Sequence, residues 1–137
     1  MKIVLDVGAF MPTRGHEHDA GLDLRTPHDF TIKAGSCLPI CTGVHTEIPV
    51  GMVGMLKSKS GLNVKYGITS EGVIDAGYTG GIVAILHNHG KNDVEFKAGD
   101  KITQLVVMPI YIPEALEVVE TLEDTDRGAN GFGSTGR

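Results

Sequence analysis

Asp75 is the residue in this chain best placed to do chemistry. It sits in Gly72-Val73-Ile74-Asp75-Ala76-Gly77-Tyr78-Thr79-Gly80. A carboxylate on such a glycine-rich bend can take a proton from water, or it can bond its own backbone and only make the turn. The local residues alone favour the turn. A second group closes the chain, where Arg127, Ser134 and Thr135 stand among glycines and Phe132 is the sole large apolar residue after Asp124. Arginine, hydroxyls and glycine N–H donors are what a phosphate clamp requires, and Phe132 could stack on a base. The same composition fits a frayed terminus, because it cannot bury enough surface to hold itself in place. Ser60 and Gly61 open a helix-like stretch whose first N–H groups could face an anion, although Ser60 could equally serve as an N-cap.

These residues need a scaffold, and 137 residues suffice for one domain with its own core. Apolar residues make up 41% of the chain, and no apolar run reaches the roughly 18 positions of a membrane span. The expected place is the cytoplasm, or the host cell's if the chain is viral. The net charge of −5 comes without a block of Lys and Arg, which argues against a face that grips nucleic acid. Cys37 and Cys41 lie four residues apart in a strand-like segment, about 13 Å when extended, too far to pair. With His16, His18, His28, His45, His87 and His89 scattered, they make no recognised zinc pattern.

Nineteen glycines, six prolines and short β-branched runs predict an all-β domain with turns every 8 to 12 residues or so. Phe30 and Ile32, then Val44, Thr46 and Ile48, alternate with neighbours in the manner of half-buried strands. Gly35, Pro49, Gly51 and Gly99 mark breaks. The run from Gly81 to Leu86 is apolar on both faces, as in a central strand or one that meets another subunit. Ser60 to Tyr66 is the one stretch able to form a short helix.

The motifs together resemble the trimeric dUTPase family. Ala20-Gly21-Leu22-Asp23-Leu24 is similar to its first motif, Ser58-Lys59-Ser60-Gly61-Leu62 to the second, and Gly72 to Gly80 to the third. Gly99-Asp100-Lys101-Ile102-Thr103-Gln104-Leu105 resembles the fourth and Arg127 to Gly136 the fifth. Order and spacing across residues 20 to 136 are far more specific than any one string.

The resemblance implies a distorted jelly-roll β-barrel over residues 1–123 and a flexible arm over 124–137. It implies a homotrimer in which the arm completes a neighbouring subunit's site. The implied reaction is hydrolysis of dUTP to dUMP and pyrophosphate with Mg²⁺, which limits uracil in DNA and supplies dUMP for dTMP synthesis. Asp75 would be the catalytic base. Lys59, Ser60, Gly61 and Gln104 would meet the phosphates, and Gly72, Val73, Ile74 and Val83 would bound a hairpin that reads uracil through its backbone. Tyr78 would lie beneath the deoxyribose and exclude a 2′-OH. Arg127, Gly133, Ser134 and Thr135 would hold the γ-phosphate while Phe132 covers the base. Asp23 would lie near the metal, through water, or be a structural hydrogen-bonding Asp.

The chain also departs from the family pattern. Lys59 stands where Arg is usual, replacing a planar fork by a point charge. Gly77 takes a commonly acidic position, Thr79 and Gly81 replace commoner polar partners, and Asn130 replaces a Gly. Two rivals follow. A dCTP deaminase of the same barrel would release ammonia from dCTP, and a nucleotide-sensing binding module would capture a protein partner in a dUTP-dependent way.

Overall fold

Alternating apolar and polar residues become ten strands and one helix in the computed structural model, which describes residues 1–132, 134 and 136. In chain order they are β1 (Ile3–Leu5), β2 (Gly21–Arg25), β3 (Phe30–Ile32), β4 (Cys37–Cys41), β5 (Val44–Thr46), β6 (Met52–Lys57), α1 (Ser60–Tyr66), β7 (Ile68–Ile74), β8 (Val83–Asn88), β9 (Val94–Phe96) and β10 (Lys101–Pro109). The predicted all-β class and the helix bounds hold. Six strands form one curled sheet in the order β2-β10-β6-β7-β8-β4, flanked by the antiparallel pairs β1-β5 and β3-β9. The result is a distorted jelly-roll barrel.

Two apolar clusters fill it. One joins Ile32, Ile40, Ile68, Ala84, Leu86, Val94, Phe96 and Ile102. The other joins Leu24, Val44, Ile48, Leu56, Ile74, Ile82 and Leu105. Strand β8 shows how the pattern acts: Ala84, Leu86 and Asn88 point inward and are buried, while Val83, Ile85 and His87 are exposed. The strand begins at Val83 rather than at Gly81, because Ile82 turns away to bond elsewhere: its N–H donates to the Val44 carbonyl, and its carbonyl accepts from the Thr42 N–H and hydroxyl. As the sequence suggests, β8 is interior to the sheet, and Val83, Ile85 and His87 on its outer face are exposed. Cys37 and Cys41 are free, exposed thiols on the edge strand β4.

Helix α1 ends on Gly67, whose φ of 70° is the left-handed cap that lets the chain reverse into β7. Residues 110–132 form no regular element and are exposed throughout. Their last backbone tie to the barrel is the Ile110 N–H to the Gly51 carbonyl, at 3.0 Å. Among the described residues no helix is long and apolar enough to cross a membrane.

Candidate active site

Four neighbouring strands place the first group of candidate residues. Gln104 on β10 faces Asp23 on β2 and Lys57 on β6, and Lys57 faces Glu71 on β7, so these four share one row across the sheet. Asp23 is 5% exposed, and its two carboxylate oxygens are held by Nζ of Lys59 on one side and Nζ of Lys101, at 2.6 Å, on the other. Burial by itself raises the Asp23 carboxyl. Hydrogen bonds from Lys101 and Lys59, with their charge, outweigh it and hold the group below the usual carboxylate range. Lys59 is the residue before the helix, extended at φ −82° and ψ 124°, and no side chain caps α1. Ser60 is therefore the first helical residue and not the cap.

Gln104 is fixed in the same region. Its amide donates to the Ser58 carbonyl at 3.0 Å, and its side chain lies so close over Gly21 that a Cβ there would collide with it. Ser58 also spends its hydroxyl on both backbone groups of Ser70, which pins the end of β6 to the start of β7. Ser60 and Gly61 are exposed, with open space beside Gly61.

The second group lies at the other end of β7. Pairing between β7 and β8 runs from Ile68↔Asn88 to Ser70↔Leu86 and stops there. The expected closed hairpin from Gly72 to Val83 is thus an opened fork. Past it, β7 bonds only to β6, at Gly72↔Leu56 and Ile74↔Gly54. Backbone groups alternate sides along a strand, and those of Ser70 face β6. Those of Val73 accordingly face the edge that β8 has left. Val73 is exposed, whereas Ile74 is buried in the core and offers the site only its backbone.

Asp75 follows at once, fully past the strand and exposed. A turn closed by the Tyr78 N–H to the Asp75 carbonyl, at 3.2 Å, brings Tyr78 back over Gly80, and its hydroxyl donates to the Gly81 carbonyl at 3.2 Å. The ring remains half exposed, and Val83 is exposed beside the fork. This exposed fork, with a carboxylate, an aromatic ring and free backbone edge groups, can hold a planar ligand and a water together.

The two groups do not meet within one chain. Asp75 lies four residues beyond the row of Gln104 and two strands away, about 13 Å along the strands and about 10 Å across them. Farther still in sequence, Arg127 donates to the Asn130 carbonyl, Ser134 bonds only within the tail, and Phe132 is fully exposed. Gly133 and Thr135 lie outside the described residues.

No three His, Cys, Asp or Glu side chains among the described residues gather as metal ligands. Asp23, with both oxygens on lysines, does not fit as a direct ligand of Mg²⁺. That ion keeps most of its waters and takes phosphate oxygens, so it fits as part of a metal–triphosphate substrate.

His45 is the residue that sequence reasoning misses. It lies on β5 between the Asp6 carboxylate and the Thr79 carbonyl. No local signal marks it, since its partners are 34 and 39 residues away.

The family model for dUTPase matches residues 8–136. A deoxyuridine 5'-triphosphate nucleotidohydrolase of Candida glabrata is 42% identical over 127 residues, which cover 92% of this chain and 88% of the relative. The dUTPase of Staphylococcus bacteriophage 80alpha, solved with dUPNHPP, superposes with a TM-score of 0.91 at 30% identity, covering 99% of this chain and 98% of that one. A dUTPase from phage phi11 of S. aureus, described with a structural Mg(II) ion, matches at 0.82 and 30% identity over 90% of this chain and 98% of its own.

Proposed function

The chain belongs to the dUTPase family and is a dUTP diphosphatase, and we propose that Asp75 is the base that takes the proton from the water attacking the α-phosphate. The observation that carries this reading is the fork between β7 and β8, which leaves the Val73 backbone unpaired immediately before an exposed Asp75. Backbone N–H and C=O groups on a rigid strand select a base edge by polarity: uracil fits, a cytosine amino group offers a donor where an acceptor is required, and a 5-methyl group adds bulk. Tyr78 beneath the sugar leaves no room for a 2′-OH.

Lys59, Ser60, Gly61 and Gln104 bind and orient the phosphates. Asp23 holds Lys59 in place through an ion pair, and Lys101 fixes the other oxygen of the same carboxylate. Mg²⁺ carried by the triphosphate neutralises charge on its oxygens and helps align it. Arg127, Gly133, Ser134 and Thr135 close on the γ-phosphate with Phe132 over the base, which excludes water.

The separation of Asp75 from Gln104 supports a site shared between copies of the chain, with the base-reading fork from one and the phosphate donors from another. A homotrimer with three such sites and an exchanged arm accounts for the outer face of β8 and for the exposed apolar residues Tyr111, Leu116, Val118 and Leu122. Pyrophosphate release with Mg²⁺, comparing dUTP with UTP, dCTP and dTTP, tests the reading. Turnover confined to dUTP and lost in Asp75→Asn supports it. Ammonia from dCTP, or tight dUTP binding without turnover, would replace it by one of the two rivals.

A further inference from the structure

The loop Asp75–Ile82 carries the proposed base and the proposed sugar platform, yet little holds it. Its ends are buried at Ile74 and Ile82. Between them Gly77, with φ at 87°, Gly80 and Gly81 leave the backbone many alternatives. The loop's own bonds, from the Tyr78 N–H to Asp75 and from the Tyr78 hydroxyl to Gly81, shape it but do not attach it to the barrel. Among the described residues, one side chain from outside bonds its exposed part, and that is His45, whose Nδ1 lies 2.8 Å from the Thr79 carbonyl. A carbonyl only accepts, so Nδ1 carries the proton. Nε2 lies 3.3 Å from Asp6 Oδ1. Asp6 is itself anchored, since its N–H donates to the Gly43 carbonyl at 2.9 Å. A relay therefore runs from the β4–β5 connection through Asp6 and His45 to Thr79, the residue after Tyr78.

We infer that His45 is a positioning residue for nucleotide binding: by tying Thr79 to Asp6 it fixes where Tyr78 stands, and with it the fit of deoxyribose. This rests on the roles given above to Asp75 and Tyr78. The tether is complete when the ring is cationic and donates from both nitrogens. The Thr79 carbonyl and then Asp6 raise the His45 pKa. A raised value places the full tether at low pH and weakens it as pH rises through the folded-state pKa. The other ionisable groups facing this ring are Lys2 and Glu47, paired with each other at 3.0 Å along the same surface hollow, and Cys41, whose Sγ lies with the ring beside Gly81.

The test measures kcat and KM for dUTP and UTP across pH in the wild type, His45→Phe, His45→Gln and Asp6→Asn, with Asp75→Asn alongside. His45→Phe is expected to raise the KM for dUTP about fivefold, within the range of one lost hydrogen bond. It should also narrow the preference for dUTP over UTP while kcat stays near wild type. His45→Gln keeps one N–H for Thr79 and should fall between. Asp6→Asn should move the alkaline rise in KM to lower pH. If His45→Phe does not fold, Asp6→Asn decides alone. Wild-type KM and sugar preference in His45→Phe, or a pH profile that Asp6→Asn leaves unmoved, would overturn the tether. Either result obtained while Asp75→Asn is dead sinks the tether alone. Full turnover by Asp75→Asn would instead remove the base assignment.

Discussion

Two regions of this molecule hold their functional groups in opposite ways. Around Asp23, several side chains already have partners in the same chain: Lys59 and Lys101 on the carboxylate, Gln104 on the Ser58 carbonyl, and the Ser58 hydroxyl on Ser70. Around Asp75 and through the tail, the groups are exposed, and their bonds are short-range, apart from the single reach of His45. The first region is tied together within one chain, and on the proposed reading its donors turn from these partners to phosphate oxygens. The second is presented outward, and on the proposed reading its order comes from substrate and from another copy of the chain.

The same substitution made in both regions separates them. Asp75→Asn should cost at least about 10² in kcat, as expected for a lost general base, with nucleotide binding little changed. Its stability in urea should stay within about 0.5 kcal/mol of wild type, because the residue is exposed. Mixing this variant with Gln104→Ala, after mild dissociation and reassociation, should restore pyrophosphate release that neither shows alone. No recovery would return the whole site to a single chain.

Ending the chain after Thr125 should lower kcat/KM for dUTP by about tenfold or more, since the proposed closure of the arm is lost. Its melting temperature should barely move, because the described residues removed bury nothing. An unchanged rate would show that the arm is only a frayed end.

Asp23→Asn should behave in the reverse manner, with a loss of about 2 kcal/mol on urea unfolding because two ammonium groups lose a buried partner. The sign with pH follows from the lowered Asp23 pKa. Its stabilisation is present above the unfolded-state value and is lost as pH falls through the lower folded one. The gap between wild type and Asp23→Asn should therefore close in acid. A gap that persists there would mean that packing, not charge, holds this corner.

The smallest effect should come from Gly21→Ala. A methyl group there drives Gln104 aside at a cost of about 1 kcal/mol. The KM for dUTP should rise modestly with kcat little changed. A wild-type KM would show that Gln104 has room to spare.

Much of this was open to reading along the chain. The helix from Ser60 to Tyr66, the breaks at Gly35, Gly51 and Gly99, and the inward Phe30, Ile32, Val44 and Thr46 depend on near neighbours and side-chain type. The apolar run alone predicts a strand from Gly81. The strand in fact waits until Val83, because Thr42 and Val44 capture the Ile82 backbone from across the barrel. The dual engagement of Asp23 was equally hidden. A lysine 36 residues away in sequence and another on β10 converge on it only through the order β2-β10-β6.

What the sequence determined by itself is what short-range chemistry and motif spacing encode: the all-β class, the single helix, the family, and which residue types could serve a nucleotide. Tertiary structure alone decided the register that lines up Asp23, Gln104, Lys57 and Glu71, the fork after Ser70, the reach of His45 to Thr79, and the distance between Asp75 and Gln104. The physical reason is that register and strand order are fixed by long-range backbone pairing and by filling one shared core. No window of neighbouring residues contains that information.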